Sequence, residues 1–154
     1  MKEKEYRLKT LFWEATLRCN AFCEFCGSRC GEVSCNEISG EKIEKVFEDI
    51  ADAYNPGSIM INVTGGEPIL RKDLFEVMEK ASDMGFPWGM VSNGSLIDKC
   101  IIQKMKQSGM KTISISLDGM EETHNRLRKI ENGFQKTVQA IKDLKQAAFL
   151  NQIE

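Results

Sequence analysis

Short apolar runs alternate with stretches of helical periodicity along this chain, and that alternation limits the fold more than any other feature. The runs at 11–17, 58–63, 87–92 and 111–117 are short and read as strands. Between them apolar residues recur at three- and four-residue spacing. Ile43, Val46, Phe47 and Ile50 follow Ser39, a candidate N-cap, and Leu74, Val77, Met78 and Ala81 follow Asp73. Leu96, Ile97, Ile101 and Met105 form a third stripe that stops near Gly109, and Phe134, Val138, Ile141 and Leu144 form a fourth. Four successive βα units require parallel strands with right-handed crossovers. The fold class is therefore α/β, either barrel-like or an open doubly wound sheet.

Composition narrows the setting. At 154 residues the chain is one ordinary domain with enough hydrophobic content for a sizeable core. Its net charge of −2, with Lys and Glu interspersed, offers no basic stripe, so no nucleic-acid partner is expected. Residues 1–9 are charged and contain no apolar run of signal-peptide or membrane-spanning length, so no membrane partner is expected and the chain reads as cytoplasmic. In a reducing cytosol the six cysteines read as ligands or buried thiols rather than a disulfide framework.

Every unusual cluster falls just after a strand: Cys19 to Cys26 after the first, Gly65-Gly66-Glu67-Pro68 after the second, Ser92-Asn93-Gly94 after the third and Ser116 to Gly119 at the fourth. In parallel α/β folds that carboxyl rim is where ligands bind. The fourth strand alternates Thr112, Ser114 and Ser116 with Ile113, Ile115 and Leu117, which predicts a polar face turned towards a ligand-sized lumen, or else towards solvent.

The segment from Arg18 to Cys26 carries Cys19, Cys23 and Cys26 in Cys-x3-Cys-x2-Cys spacing. Three thiolates can hold three irons of a cubane and leave the fourth open to a substrate. Two other readings compete. A zinc site closes four ligands, for which this chain offers only Cys30, Cys35 and His124 as extras. A thiol redox role would use Cys23 or Cys26 and has no need of a third thiol. The two glycines at Gly65 and Gly66 would let backbone approach a ligand closely, with a carboxylate at Glu67 beside them, although a plain turn explains glycines too. Asn93-Gly94 is likewise a common turn sequence. The thiols Cys30 and Cys35 read as free loop residues, Cys100 as a buried inert thiol, and His124 and Arg126 as a satisfied histidine and a surface charge as readily as functional groups.

Taken together, these motifs resemble the radical S-adenosylmethionine (radical SAM) superfamily over almost the entire chain, closest to its peptide-modifying, SPASM-type maturase branch. The resemblance implies a partial parallel (β/α) barrel in which Cys19, Cys23 and Cys26 hold a [4Fe–4S] cluster, with Phe25 as the aromatic residue before the last cysteine. It implies that S-adenosylmethionine (SAM) chelates the open iron and is cleaved reductively to a 5′-deoxyadenosyl radical that abstracts hydrogen from a peptide or small-molecule substrate. A reductant such as flavodoxin or ferredoxin supplies the electron. By the same resemblance Gly65, Gly66 and Glu67 meet the methionine amine, Ser92 and Asn93 form the loop at the third strand, Ser116 lies near the ribose, Arg128 near the cofactor carboxylate, and Asp118 orients its loop.

The family core has six βα units, and this chain reads as about four, with 150–154 able to begin a fifth strand. The expectation is that residues 1–154 are the N-terminal portion of a radical SAM core, its remainder absent. An alternative is a non-catalytic cluster-binding module or assembly subunit. Two further expectations follow. The fourth strand should be an open edge available for self-association, and a side chain at Gly66 should block SAM while leaving the cluster intact.

Overall fold

The computed structural model describes residues 7–31 and 36–154. Five strands, β1 (Thr10–Thr16), β2 (Met60–Gly65), β3 (Trp88–Ser92), β4 (Thr112–Ile115) and β5 (Gln152–Ile153), lie side by side in chain order, and every neighbouring pair is parallel. Helices α1 (Gly40–Ala53), α2 (Leu74–Asp83) and α3 (Lys99–Gln107) make the first three crossovers. The fourth passes through a short α4 (Glu121–Arg128) and then α5 (Gly133–Ala147). Right-handed crossovers that add each strand beyond the last bring all helices to one face. That winding is a partial (β/α) barrel. A doubly wound sheet would reverse its strand order instead.

The two faces differ as the winding requires. Ile61, Val63, Trp88, Met90, Ile113 and Ile115 point to the helices and join Phe47, Leu74, Met78, Met105 and Leu144 in one buried core. On the other face Phe12 and Val91 are exposed, and Asn62, Thr64, Thr112 and Ser114 are half-buried. The register sets Asn62 between Phe12 and Gly89, and Ser114 beside Val91. The alternation on the fourth strand therefore does separate a polar face from an apolar one, and the polar face continues onto β2.

Three sequence expectations change, and the Ser39 N-cap holds. The fourth strand is not an open edge: β4 pairs with β5, Thr112 opposite Gln152 and Ile113 opposite Ile153, and the Ile115 amide donates to the Glu154 carbonyl at 2.7 Å. Helix α4 was not expected, because Glu121–Arg128 has Leu127 as its single apolar residue and buries only His124, so it has no apolar stripe to read. Helix α3 starts at Lys99 rather than at Leu96, since the Asp98 carboxylate accepts from the Ile101 amide at 2.8 Å and caps it there. Ser39 occupies the N-cap of α1 with extended backbone but makes no side-chain cap bond.

Candidate functional site

The rim beyond the strand ends begins where β1 stops. Two amides of the β2 turn hold the following chain in place, Gly66 donating to the Thr16 carbonyl at 2.7 Å and Glu67 to the Arg18 carbonyl at 2.8 Å. Gly65 sits at φ +120°, and a Cβ there would lie 2.2 Å from the Thr16 carbonyl oxygen. At Gly66 a Cβ would lie 2.3 Å from the Arg18 oxygen and 3.1 Å from the Cys19 Cβ. Gly65 is thus required by its own φ and by the end of β1, and Gly66 by the approach of the cysteine loop itself.

The cysteine loop is held on its far side by α4. Phe22 and Glu24 donate their amides to the carbonyls of Arg128 and Leu127 at 3.2 and 3.1 Å, and Gly31 donates to Leu17 at 3.0 Å. Cys19, Cys23 and Cys26 are half-buried, and the five described cysteines are free thiols. Among the described residues no three His, Cys, Asp or Glu side chains converge on a point that a single ion could occupy. A cubane makes no such demand, since each thiolate takes a separate iron. Three thiols at this spacing are a donor set for three irons of a cubane. Burial raises the Cys19 thiol above its ordinary pKa, whereas the Cys30 amide lowers that of Cys26. Cys30 is buried and pushed up to about 11, which keeps it a neutral thiol.

Beneath the loop lies a buried polar cluster. Glu67 is fully buried, and its carboxylate accepts from the Ser92 hydroxyl at 2.9 Å and the Asn93 amide at 2.8 Å. The Asn93 side-chain amide donates to Asn20 at 2.9 Å and reaches towards the Cys19 sulfur at 4.0 Å, while Asn20 donates to Ser95 at 2.8 Å. Burial raises the Glu67 carboxyl to about 7 against these hydrogen bonds. Glu67, Ser92 and Asn93 are thus brought together, with the Glu67 carboxylate joined to the β3 loop.

On the other flank Arg128 pairs with Asp118 through both oxygens, its Nη2 at 3.1 Å from Oδ1. Its Nη1 lies 3.7 Å from the Cys23 sulfur, and its guanidinium stacks over the Phe25 ring at 5.2 Å. The hydrogen bond from Arg128 holds the Asp118 carboxyl below its ordinary range. Ser116 anchors the loop ahead of Asp118 by donating its amide to the Ser92 carbonyl at 3.0 Å. His124 is buried, and its Nδ1 accepts from the Asp118 amide at 3.3 Å. Its Nε2 has no partner among the described residues.

Three residues of the rim were not singled out in the sequence. Asn20 was legible only as a spacer between cysteines. Ser95 was one residue past the loop read there. Arg71, 3% exposed, donates to the carbonyls of Ala15 and Ile38 at 2.9 and 2.8 Å and pairs with Asp73 at 2.7 Å, so it ties down both ends of the cysteine segment. A signal for it existed, an arginine in an apolar stretch with an aspartate two residues on. Cys100, read as buried, is exposed, because the buried side of α3 carries Ile102 and Met105. Cys35 lies outside the described residues.

Residues 13–152 match the family model described as the radical SAM superfamily. The chain belongs to that superfamily. Among curated radical SAM relatives, the AdoMet-dependent heme synthase of Methanosarcina barkeri is 30% identical over 147 residues, 94% of this chain and 41% of that protein. The sporulation killing factor maturation protein SkfB of Bacillus subtilis is 32% identical over 134 residues, 87% of this chain and 32% of its own length. The chain therefore spans less than half of either relative. Among solved structures, anSMEcpe with bound AdoMet superposes with a TM-score of 0.78 at 25% identity, over 95% of this chain and 42% of that one. SuiB of Streptococcus suis bound to its precursor peptide SuiA gives 0.75 at 17% identity, over 92% and 31%, a likeness of fold. Radical SAM enzymes use a [4Fe–4S] cluster and SAM, and the cysteine loop of this chain has the donors for the first.

Proposed function

We propose that Cys19, Cys23 and Cys26 hold a [4Fe–4S] cluster and that the chain, as the N-terminal portion of a radical SAM core, binds SAM and cleaves it. The observation that carries this reading is the cysteine loop, held between the glycine turn after β2 and the Arg128 end of α4, inside a family match that covers residues 13–152. Held by Cys19, Cys23 and Cys26, the cluster would supply one electron for the reductive cleavage of SAM to methionine and a 5′-deoxyadenosyl radical, the species that would abstract hydrogen from substrate. The electron comes from a reductant such as flavodoxin or ferredoxin. This chain's residues bind and orient. Gly66 and Glu67 direct their amides at the cysteine loop, and the Glu67 carbonyl accepts from the Leu70 amide at 3.0 Å, which leaves the carbonyls of Gly65 and Gly66 as the acceptors proposed for the methionine ammonium. Glu67 fixes the Ser92–Asn93 loop, and Ser116 and Arg128 extend the rim towards the ribose and the cofactor carboxylate.

A peptide substrate is supported by the block from Ser116 to Arg128, which resembles the maturase branch, and by the 32% identity to the maturation protein SkfB. A second reading, a substrate of heme synthesis, is favoured by the 30% identity to the M. barkeri enzyme. No described helix is long and apolar enough to cross a membrane. Self-association through a sheet edge would use β1 or β5 rather than β4.

Anaerobic reconstitution should yield about four irons per chain, with a reduced-cluster electron paramagnetic resonance signal that shifts on adding SAM. Cys19→Ala, Cys23→Ala and Cys26→Ala should each abolish it, and Cys100→Ala should not. An unchanged signal with SAM would exclude an open iron. Cluster assembly with no 5′-deoxyadenosine formed would favour the alternative, a cluster-binding module without turnover.

A further inference from the structure

Among the described charged pairs where α4 meets the cysteine loop, one includes a cation that touches a sulfur. Glu24 meets Arg126 at 3.3 Å and Lys129 at 3.8 Å, with the Arg126 and Glu24 side chains 62% and 42% exposed, so water screens them. Arg128 and Asp118 are only 14% and 27% exposed. Their pair is bidentate, and the guanidinium sits between the carboxylate and the Cys23 sulfur, 3.7 Å from the latter, with the Phe25 ring against its face. Among the described residues no comparable cation faces Cys19, whose sulfur receives the Ala21 amide at 3.4 Å and the Asn93 side-chain amide at 4.0 Å. The guanidinium is thus an unsymmetrical feature of the cysteine site.

We infer that Arg128 is a positioning and tuning residue for the cluster, its charge favouring the reduced state and Asp118 setting how much of that charge the cluster feels. The inference rests on the cluster assignment above. A cluster gains a negative charge on reduction, so a cation beside one of its thiolates raises the reduction potential and an anion lowers it. The guanidinium lies nearer the sulfur, and the carboxylate behind it opposes its field. Removing either partner of an ordinary structural ion pair would loosen the same loop and act in the same direction. Removing the two charges of a tuning pair acts in opposite directions.

That difference is the test. The full chain is reconstituted anaerobically, and the midpoint potential of the cluster is measured by redox titration without SAM. Arg128→Met should lower the reduction equilibrium on the order of tenfold, about 59 mV for one electron. Asp118→Asn should raise it, Arg128→Lys should restore most of the wild-type value, and Arg126→Met should leave it unchanged. If Arg128→Met fails to assemble a cluster, the sign of the Asp118→Asn shift decides alone. Shifts of the same sign in Arg128→Met and Asp118→Asn, or no shift in either, overturn the inference. Failure of the wild-type chain to take up iron would instead overturn the cluster assignment itself.

Discussion

Glu67 shows how far a residue's role depends on what covers it. In the sequence it is a carboxylate beside two glycines, a candidate partner for an ammonium group. In the fold it is fully buried, with the Ser92 hydroxyl and the Asn93 amide on its oxygens. Its carboxyl is raised to about 7, because burial outweighs those hydrogen bonds. The folded apoprotein then holds a proton that the unfolded chain releases near pH 4.5. The stability linked to that proton is fully present below about 4.5 and is lost as pH rises through about 7, up to about 3 kcal/mol. Glu67→Gln cannot titrate. Urea unfolding of the apoprotein at pH 5 and pH 8 should show wild type losing stability relative to Glu67→Gln across that interval. A pH-independent difference between the two proteins would mean that Glu67 is ionised in the fold throughout.

At the scale of elements, the end of β2 and the loop after β1 form one unit. The expectation that a side chain at Gly66 would block SAM and spare the cluster does not survive the geometry, since the missing Cβ points at the Arg18 carbonyl and Cys19 rather than at open space. Gly66→Ala should push the cysteine loop away, cost about 1–3 kcal/mol of overpacking and reduce iron uptake together with SAM binding. Iron per chain after reconstitution checks this, and full iron with lost SAM affinity would restore the original reading. The starts of α1 and α2 were legible from a polar residue ahead of an apolar stripe although neither Ser39 nor Asp73 makes a side-chain cap bond, whereas the start of α3, which Asp98 does cap, was hidden by the apolar Leu96 and Ile97 ahead of it. The stripe of α2 was read correctly because Leu74, Val77, Met78 and Ala81 are all buried. Helix α4 escaped because its reason for being helical is tertiary: His124 is held under the Asp118 loop and Arg128 against the cysteine loop.

In the whole molecule, the sheet grows strand by strand, and its last addition protects the one before it. Asn151 donates to Lys111 at 2.7 Å, Glu154 to Ile113 at 2.9 Å, and Ile115 to Glu154 at 2.7 Å. Deleting residues 150–154 should leave the Ile115 amide without its acceptor and speed its hydrogen exchange on the order of tenfold, while Ile61 and Met90 in β2 and β3 keep their protection. Equal protection in both proteins would show that β5 contributes nothing to the stability of β4.

The sequence by itself determined the parallel α/β class, the helical faces and the rim on which the motifs gather, because hydrophobic periodicity and the direction of crossover are local properties written into spacing. It also determined the three cysteines, whose chemistry depends on residue type and interval. Only the tertiary structure decided what those motifs face. It turned Glu67 inward, set Gly66 against the cysteine loop, brought Arg128 to Cys23 across 105 positions of chain and chose a barrel-type winding over a doubly wound one. Such pairings depend on how strand order and loop paths bring distant segments together, and no interval in the sequence encodes them.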